Sequence, residues 1–359
     1  MGFERISVFN FRNLKNNIIN VSSRNVVLVG ENGHGKTNFI EAVYFLCFGS
    51  SFRIRKDEFL IKEKETEMSV SGEFIKNEIK NSIKIYIIKK KKKIFFNEKK
   101  IIDRKEIIEN IPCIIFSHDD INYVKGKPDR KRYFFNQTMS LNNPFYIDIL
   151  RKYKKILKNR NLALKKENRE LIEVYDCQLV KTGLEIKKRR KETIKHFNKT
   201  FSEEFKKIAS LKKEIYIKYS PSWDWDDSYE STLEEVRKTR EKDILAGTSL
   251  KGPHRDRFNF FIDNVNFENF ASTGQIRLLS LILKITQARY YTIVTGKKPI
   301  LLLDDVLLEL DTKKKEAFLE YLPEYDQAFF TFLPDETLLS CIQKETLLYS
   351  VKNGSFSKY

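Results

Sequence analysis

The chain has 359 residues, enough for one large domain or two, and its 41% hydrophobic and 32% charged residues are those of a soluble globular protein. No apolar run approaches the ~18–20 residues that a membrane span needs, and the opening Met1-Gly-Phe-Glu-Arg-Ile-Ser-Val8 lacks the apolar core of a secretory signal, so a cytoplasmic protein is expected. The formal net charge of +18 favours a polyanionic partner, nucleic acid before membrane, although the abundance of Lys, Ile, Asn and Phe also fits an AT-rich genome.

In chain order, residues 3–10 and 24–29 read as strands at the edge and centre of a sheet. After Asn25–Val29 comes Gly30-Glu31-Asn32-Gly33-His34-Gly35-Lys36-Thr37, and from Asn38 to Phe48 the apolar residues Phe39, Val43 and Leu46 fall at helical spacing. A strand, a glycine turn and a helix start are what phosphate binding needs. Glycines let successive backbone N–H groups converge on an anion, the helix N-terminus adds partial positive charge, and Lys36 supplies a point charge. The Thr37 hydroxyl is placed to ligate Mg²⁺. A glycine turn with a surface lysine would leave the order Gly-Lys-Thr at a helix start unexplained.

Residues 68–102 alternate as strands do, with Lys89 to Lys93 expected at a hairpin tip, a solvated loop that also guards an edge. Ile111–Ser117 reads as a further buried strand. Residues 145–210 carry no proline and one glycine, Gly183, and apolar positions from Leu150, Tyr153, Leu157, Leu164 and Leu171 to Ile208 imply a hairpin of two long amphipathic helices. Residues 151–210 hold 19 Lys and Arg against 8 Asp and Glu, a local excess that suits a DNA-contacting surface better than a uniform lysine bias would. Ser220–Tyr229 is an acidic loop whose tryptophans are expected to tuck against the body. The four cysteines, Cys47, Cys113, Cys177 and Cys341, are scattered without a Cys-x-x-Cys pair and read as reduced thiols.

Strand character returns at Phe258–Ile262 and Ile300–Leu303, with a helix between them from Gln275 to Tyr291. That helix follows Ala271-Ser272-Thr-Gly274-Gln275, a turn that could present a hydroxyl and free N–H groups to an anion; taken alone, it is more simply a helix cap. Pro299-Ile-Leu-Leu-Leu-Asp304-Asp305 is an apolar strand ending in two carboxylates, where ligands bind in open α/β sheets. The first acid can hold Mg²⁺ and the second can orient or deprotonate an attacking water.

A phosphate loop, a second anion-binding helix start and an Asp-Asp strand together resemble the ATP-binding-cassette (ABC) ATPases. Further segments narrow the resemblance to the RecF family, related to SMC heads: Phe9-Asn-Phe-Arg12-Asn13-Leu14, Phe116-Ser-His-Asp-Asp-Ile121, Val124–Pro128 with Arg130–Arg132, Gly252-Pro-His254-Arg255-Asp256, Phe270–Arg277 and Leu301–Asp311. The match runs through nearly the whole chain in order. It implies an α/β fold: an ABC-type, SMC-like ATPase head with an antiparallel β-meander, built from residues 1–118 and 250–359 in one sheet system. Residues 119–249 would be an inserted, mainly α-helical arm domain, and the turn at 272–275 could belong to either lobe.

By position, the resemblance assigns ATP to Gly30, Glu31, Asn32, Gly33, His34, Gly35, Lys36, Thr37 and Asn38, with the phosphates on Lys36 and the backbone of Gly30–Gly35, and Mg²⁺ on Thr37 and Asp304. Lys36 and Asp305 become the catalytic pair, with Arg12, Asn13 and Asp311 near the nucleotide. Ser272, Gly274 and Gln275 would reach the γ-phosphate held by a second copy. The implied protein acts in DNA replication, recombination and repair, including the SOS response to DNA damage. It would dimerise on ATP, bind double-stranded DNA near single-strand gaps, and help load recombinase with RecR- and RecO-like partners. ATP hydrolysis, weak and DNA-stimulated, would reset the clamp.

Three positions depart from the family: Leu308 where Ser is usual, His118-Asp119 where Pro-Glu is usual, and Thr331–Pro334 without the usual polar switch residues. The rivals are an SMC-type head with a chromosome-structural role, a transporter nucleotide-binding subunit, and a DNA clamp that binds ATP without hydrolysing it. The short helical insert speaks against the first, and the net charge and the Asp-Asp pair speak against the second.

Overall fold

The structure, a computed structural model, describes residues 1–209, 213–307, 312–334 and 345–359. The chain divides into two compact units, Met1–Asp120 with Leu283–Tyr359, and Ile121–Ile282. Among the described residues no helix is long and apolar enough to cross a membrane.

The first unit begins with strands β1 (Gly2–Phe9), β2 (Asn17–Asn20) and β3 (Asn25–Val29) and helix α1 (Lys36–Phe48). There follow β4 (Glu67–Lys76), β5 (Ile79–Ile88), β6 (Lys91–Phe96), β7 (Lys99–Ile101), α2 (Lys105–Asn110) and β8 (Cys113–Phe116). The second unit holds α3 (Pro128–Asn142), α4 (Phe145–Lys165), α5 (Arg169–Ala209), β9 (Ile215–Ser220), α6 (Tyr229–Lys238), α7 (Arg240–Ala246), β10 (Arg257–Ile262) and β11 (Val265–Asn266). Helix α8 (Thr273–Thr295) begins in the second unit and ends in the first, which β12 (Ile300–Leu303), α9 (Thr312–Glu320), β13 (Gln327–Phe332), β14 (Thr346–Lys352) and β15 (Ser355–Lys358) complete.

Two six-stranded sheets build the first unit: an antiparallel one, ordered β2-β1-β4-β5-β6-β7, and a mainly parallel one, ordered β15-β14-β3-β13-β12-β8. The strands at 3–10 and 24–29 therefore lie in different sheets, not at the edge and centre of one. Their patterns explain the split. In β1 buried and accessible residues alternate, as suits a sheet wetted on one face. Every residue of β3, β8, β12 and β13 is buried, as suits parallel strands covered on both sides. Helix α1 contacts β4 and β5 of one sheet and β8, β12 and β13 of the other. It is accordingly buried all round from Phe39 to Phe48, with no polar face to solvent.

The lysine run is only partly a tip. Lys89 and Lys90 alone form the turn, both at positive φ (49° and 63°), as a two-residue hairpin with right-twisted strands demands. Lys91–Lys93 belong to β6, and Lys92 donates to Gly49 O at 2.7 Å and Asp57 Oδ2 at 2.5 Å.

In the second unit α4 and α5 pack as an antiparallel pair, and β11-β10-β9 form a small sheet of their own. The buried face of α5 starts at Ile172, while Leu171, expected inside, is exposed. Gly183 has a packing cause: a Cβ there would lie 2.5 Å from the buried ring of Trp223. The basic excess of the helices is partly internal. Arg160 is buried against Asp176 at 2.6 Å and Asp243 at 2.7 Å, and Arg190 against Asp256 at 2.6 Å. Lys187 is buried and paired with Asp227 at 2.6 Å, so these three cations are not available to a partner.

The segment Gly252–Asp256 is a structural hub. His254 Nε2 donates to Ser249 O at 3.0 Å, and Nδ1 lies 2.8 Å from the Tyr153 hydroxyl, from which the neutral ring accepts. Burial, with the nearby Arg255 and Arg132 charges, pushes His254 down to about 4. Asp256 accepts from Arg190, the Tyr219 hydroxyl and Ser222 N–H.

Candidate functional site

The loop after β3 is fixed before any ligand arrives. Gly30 N–H donates to Phe332 O at 3.2 Å, and a Cβ on Gly30 would stand 2.4 Å from Val351 O, so only glycine fits between the ends of β13 and β14. Gly33 and Gly35 take φ of 81° and 113°, left-handed values that cost a glycine nothing. Space above Gly33 is open, with no atom within 4 Å of a Cβ there.

Lys36, the first residue of α1, is buried and folds its ammonium back over the loop, donating to Gly30 O at 2.7 Å and Glu31 O at 3.1 Å. Its charge is thereby held against the backbone of the loop. Asn13 Nδ2 donates to Gly33 O at 3.0 Å, and Asn38 Nδ2 donates to Asn13 Oδ1 at 2.7 Å. The turn between β14 and β15 closes the other side: Gly354 N–H donates to His34 O at 2.9 Å and Asn353 N–H to His34 Nδ1 at 3.1 Å. The side chains of Glu31 and Asn32 are exposed, so any phosphate contact from them comes from the backbone.

The two aspartates stand at the end of β12, beside the loop. Thr37 Oγ1 donates to Asp304 Oδ1 at 2.9 Å. Burial, then the neighbouring charge of Asp305, raises Asp304 to about 6, while the hydroxyls of Thr37 and Thr331 and the charge of Arg53 act against the rise. Asp305 has φ of 48°, a left-handed backbone that Asp tolerates better than most residues. Its N–H donates to Thr331 Oγ1 at 2.8 Å and its Oδ1 accepts from the same hydroxyl at 2.9 Å. Thr37 Oγ1 and Asp304 Oδ1 are adjacent hard oxygens and fit a magnesium ion that completes its shell with phosphate and water. Among the described residues no cluster of three His, Cys, Asp or Glu could hold a metal without such help.

Other residues fall differently. Arg12 spends its guanidinium on the buried Glu41, with Nε at 3.0 Å and Nη2 at 3.1 Å, rather than on the loop. Ser272 and Gln275 belong to the second unit and form a reciprocal cap: Ser272 N–H donates to Gln275 Oε1 at 2.8 Å and Gln275 N–H to Ser272 Oγ at 3.3 Å. Both are exposed, and Gly274 has open space where a Cβ would be. Asp311 and Leu308 lie outside the described residues.

Three groups escape a reading of motifs. Thr331 sits in a segment read as lacking polar switch residues, yet its hydroxyl is buried against both aspartates. Arg53 Nη1 donates to Asn38 Oδ1 at 2.9 Å and lies 3.5 Å from Glu41 Oε2, beside the loop. The Asn353-Gly354 turn braces His34 from 319 residues away. Only the Asn-Gly pair carries a local signal, and that signal is for a hairpin.

The mixed two-sheet unit, with its glycine loop after β3 and the Thr37–Asp304 pair at the end of β12, has the architecture of an SMC-class head. The model of the RecF/RecN/SMC N terminal domain matches residues 3–356. A curated relative from Treponema pallidum (strain Nichols), "DNA replication and repair protein RecF", is 39% identical over 98% of this chain and 99% of its own. A solved structure of the recombination mediator protein RecF with ATP superposes with a TM-score of 0.90 at 28% identity, covering 100% of this chain and 99% of that one. A solved SMC head shares the fold alone, at 14% identity with a TM-score of 0.58, over 99% of this chain and 96% of that one. The chain belongs to the RecF family.

Proposed function

We propose that the protein binds ATP with Mg²⁺ at Gly30–Thr37 and Asp304, closes into a homodimer around two nucleotides, and in that state holds duplex DNA near single-strand gaps for recombinase loading with RecR- and RecO-like partners. The observation that carries the reading is the Thr37–Asp304 contact of 2.9 Å at the end of β12, beside a loop whose lysine is already turned inward. The relatives' names, a DNA replication and repair protein and a recombination mediator solved with ATP, support the same assignment.

Each residue has a part. Lys36 moves its ammonium from the loop carbonyls onto the phosphates, exchanging two neutral acceptors for anionic ones. Bound Mg²⁺ would neutralise phosphate charge, and Thr37 and Asp304 are the side chains that would hold it. Asp305, fixed by Thr331, orients the attacking water. The exposed cap at Ser272–Gln275 is offered to the γ-phosphate of a second copy, so turnover requires the dimer. Slow hydrolysis resets the clamp.

The DNA part of the reading is tested by salt. Duplex affinity in the presence of ATP should fall with a log–log slope of about −0.9 per phosphate contacted. A flat response would show that the +18 charge reflects composition alone.

A further inference from the structure

We propose that Glu41 is a positioning residue for the nucleotide site: it anchors Arg12 and Arg53 and, through Arg53, Asn38 and Asn13, sets the orientation of the Gly33–His34 peptide. This role rests on the ATP binding proposed above. Glu41 lies on α1, one turn beyond Thr37, and is the one charged residue in the buried run Phe39–Phe48. Its side chain is wholly buried, and a carboxylate taken out of water persists only where strong donors surround it. Arg12 approaches with Nε at 3.0 Å and Nη2 at 3.1 Å, Arg53 Nη1 lies 3.5 Å away, and the Ser51 hydroxyl donates as well.

The two arginines come from different segments. Arg12 follows β1 and has a left-handed backbone, φ 52°, an unfavourable conformation for arginine that its bidentate pair with Glu41 helps to hold. Arg53 follows α1, in a turn where Ser51 Oγ accepts from the N–H groups of Arg53 at 2.9 Å and Ile54 at 3.1 Å. From Arg53 a chain of hydrogen bonds leads to the loop. Arg53 Nη1 donates to Asn38 Oδ1 at 2.9 Å, Asn38 Nδ2 to Asn13 Oδ1 at 2.7 Å, and Asn13 Nδ2 to Gly33 O at 3.0 Å. A guanidinium can only donate, so it fixes which end of Asn38 faces it, and Asn38 then fixes Asn13. The chain therefore runs one way, from the buried charge to Gly33.

A trans peptide points its C=O and N–H in opposite directions, so holding Gly33 O on Asn13 turns the His34 N–H the other way. The β14–β15 turn does the same for the next peptide, because Gly354 N–H holds His34 O at 2.9 Å and so turns the Gly35 N–H away from itself. Successive N–H groups converge on an anion only when their carbonyls are held aside, and these contacts do that before ligand arrives. An ion pair that served the core alone would have no need of Asn38 and Asn13, which carry its direction outward to the glycine loop.

Equilibrium ATP binding and steady-state turnover of Glu41→Gln, Asn38→Ala, Asn13→Ala and the double asparagine variant test it. Glu41→Gln removes a negative charge close to a bound polyanion, which by charge alone should tighten ATP binding. Positioning predicts the opposite, a loss of about tenfold. Asn38→Ala and Asn13→Ala, whose side chains reach the surface, should each weaken ATP binding about fivefold, the factor of one net hydrogen bond, and more than they lower turnover at saturating ATP. Either change breaks the same chain, so the double variant should lose about as much as each single one. Urea midpoints close to wild type for the asparagine variants would show that the loss is not one of folding. A Glu41→Gln protein that binds ATP as well as wild type or better would overturn the proposal. So would asparagine losses that multiply, as two independent contacts with the nucleotide would make them. A wild type that binds no ATP would instead overturn the nucleotide reading itself.

Discussion

Thr331 and Asp305 are joined by a two-point clamp: the threonine hydroxyl accepts the Asp305 N–H at 2.8 Å and donates to its carboxylate at 2.9 Å. The clamp holds Asp305 in a left-handed backbone at φ 48°. Asp305 thus has one orientation before substrate arrives, which is what positioning a water requires.

Thr331→Val keeps the shape and removes the hydroxyl. Hydrolysis should fall by about tenfold while nucleotide affinity changes less than about twofold, since Lys36 and Thr37 are untouched. Stability should drop by about 1–2 kcal/mol for the buried N–H left without its partner. Single-turnover hydrolysis beside equilibrium nucleotide binding separates the two effects, and equal losses in both would remove Thr331 from the chemistry.

Asp304 is ionised at a cost in stability. Burial and the charge of Asp305 raise it to about 6 from the usual carboxylate range, so at neutral pH the fold carries an ionised group it would hold more easily neutral. A carboxylate raised in the folded state costs stability as pH rises from about 4 through about 6. Asp304→Asn should therefore raise the melting temperature of the ligand-free protein at pH 7.5, by an effect of up to about 3 kcal/mol. The same variant should lose magnesium-dependent nucleotide affinity. Thermal melts with and without nucleotide and Mg²⁺ measure both, and a variant less stable without ligand would contradict the electrostatic account.

His254 sets a pH limit on the second unit. Buried and neutral, it is pushed down to about 4, whereas the unfolded chain takes up the proton near 6.5. Its contribution to stability is present above about 6.5 and is lost as pH falls toward 4, reaching about 3 kcal/mol. His254→Gln should be less stable at pH 7.5 and should flatten the difference between pH 6.5 and 4. Urea midpoints across that window decide it, and parallel pH curves for the two proteins would refute the assignment.

The parts of this molecule that sequence discloses are those whose causes are local. The loop at Gly30–Thr37, the apolar strand before Asp304 and the long helices α4 and α5 each have a composition that admits few other conformations. Contacts made across the chain have no such signature. Gly354 occupies a site where a Cβ would meet Asn13 O at 2.2 Å, a constraint set by a segment near the other end of the chain. The charge of α5 counts toward a DNA surface in any tally of the sequence, yet Lys187 and Arg190 are spent inside. The alternation of residues 68–102 signals strands, but not that Tyr86 and Phe95 meet face to face, because register is set by the turns.

The most direct test of the ATP-closed dimer is sedimentation velocity with and without ATP and Mg²⁺, on wild type, Lys36→Ala and Ser272→Ala. Wild type should pass from monomer to dimer on adding ATP. Lys36→Ala should stay monomeric with nucleotide affinity reduced at least tenfold, and Ser272→Ala should bind nucleotide like wild type yet fail to dimerise. A Ser272→Ala protein with an unchanged ATP-dependent dimer, or a wild type that ignores ATP, would contradict the account.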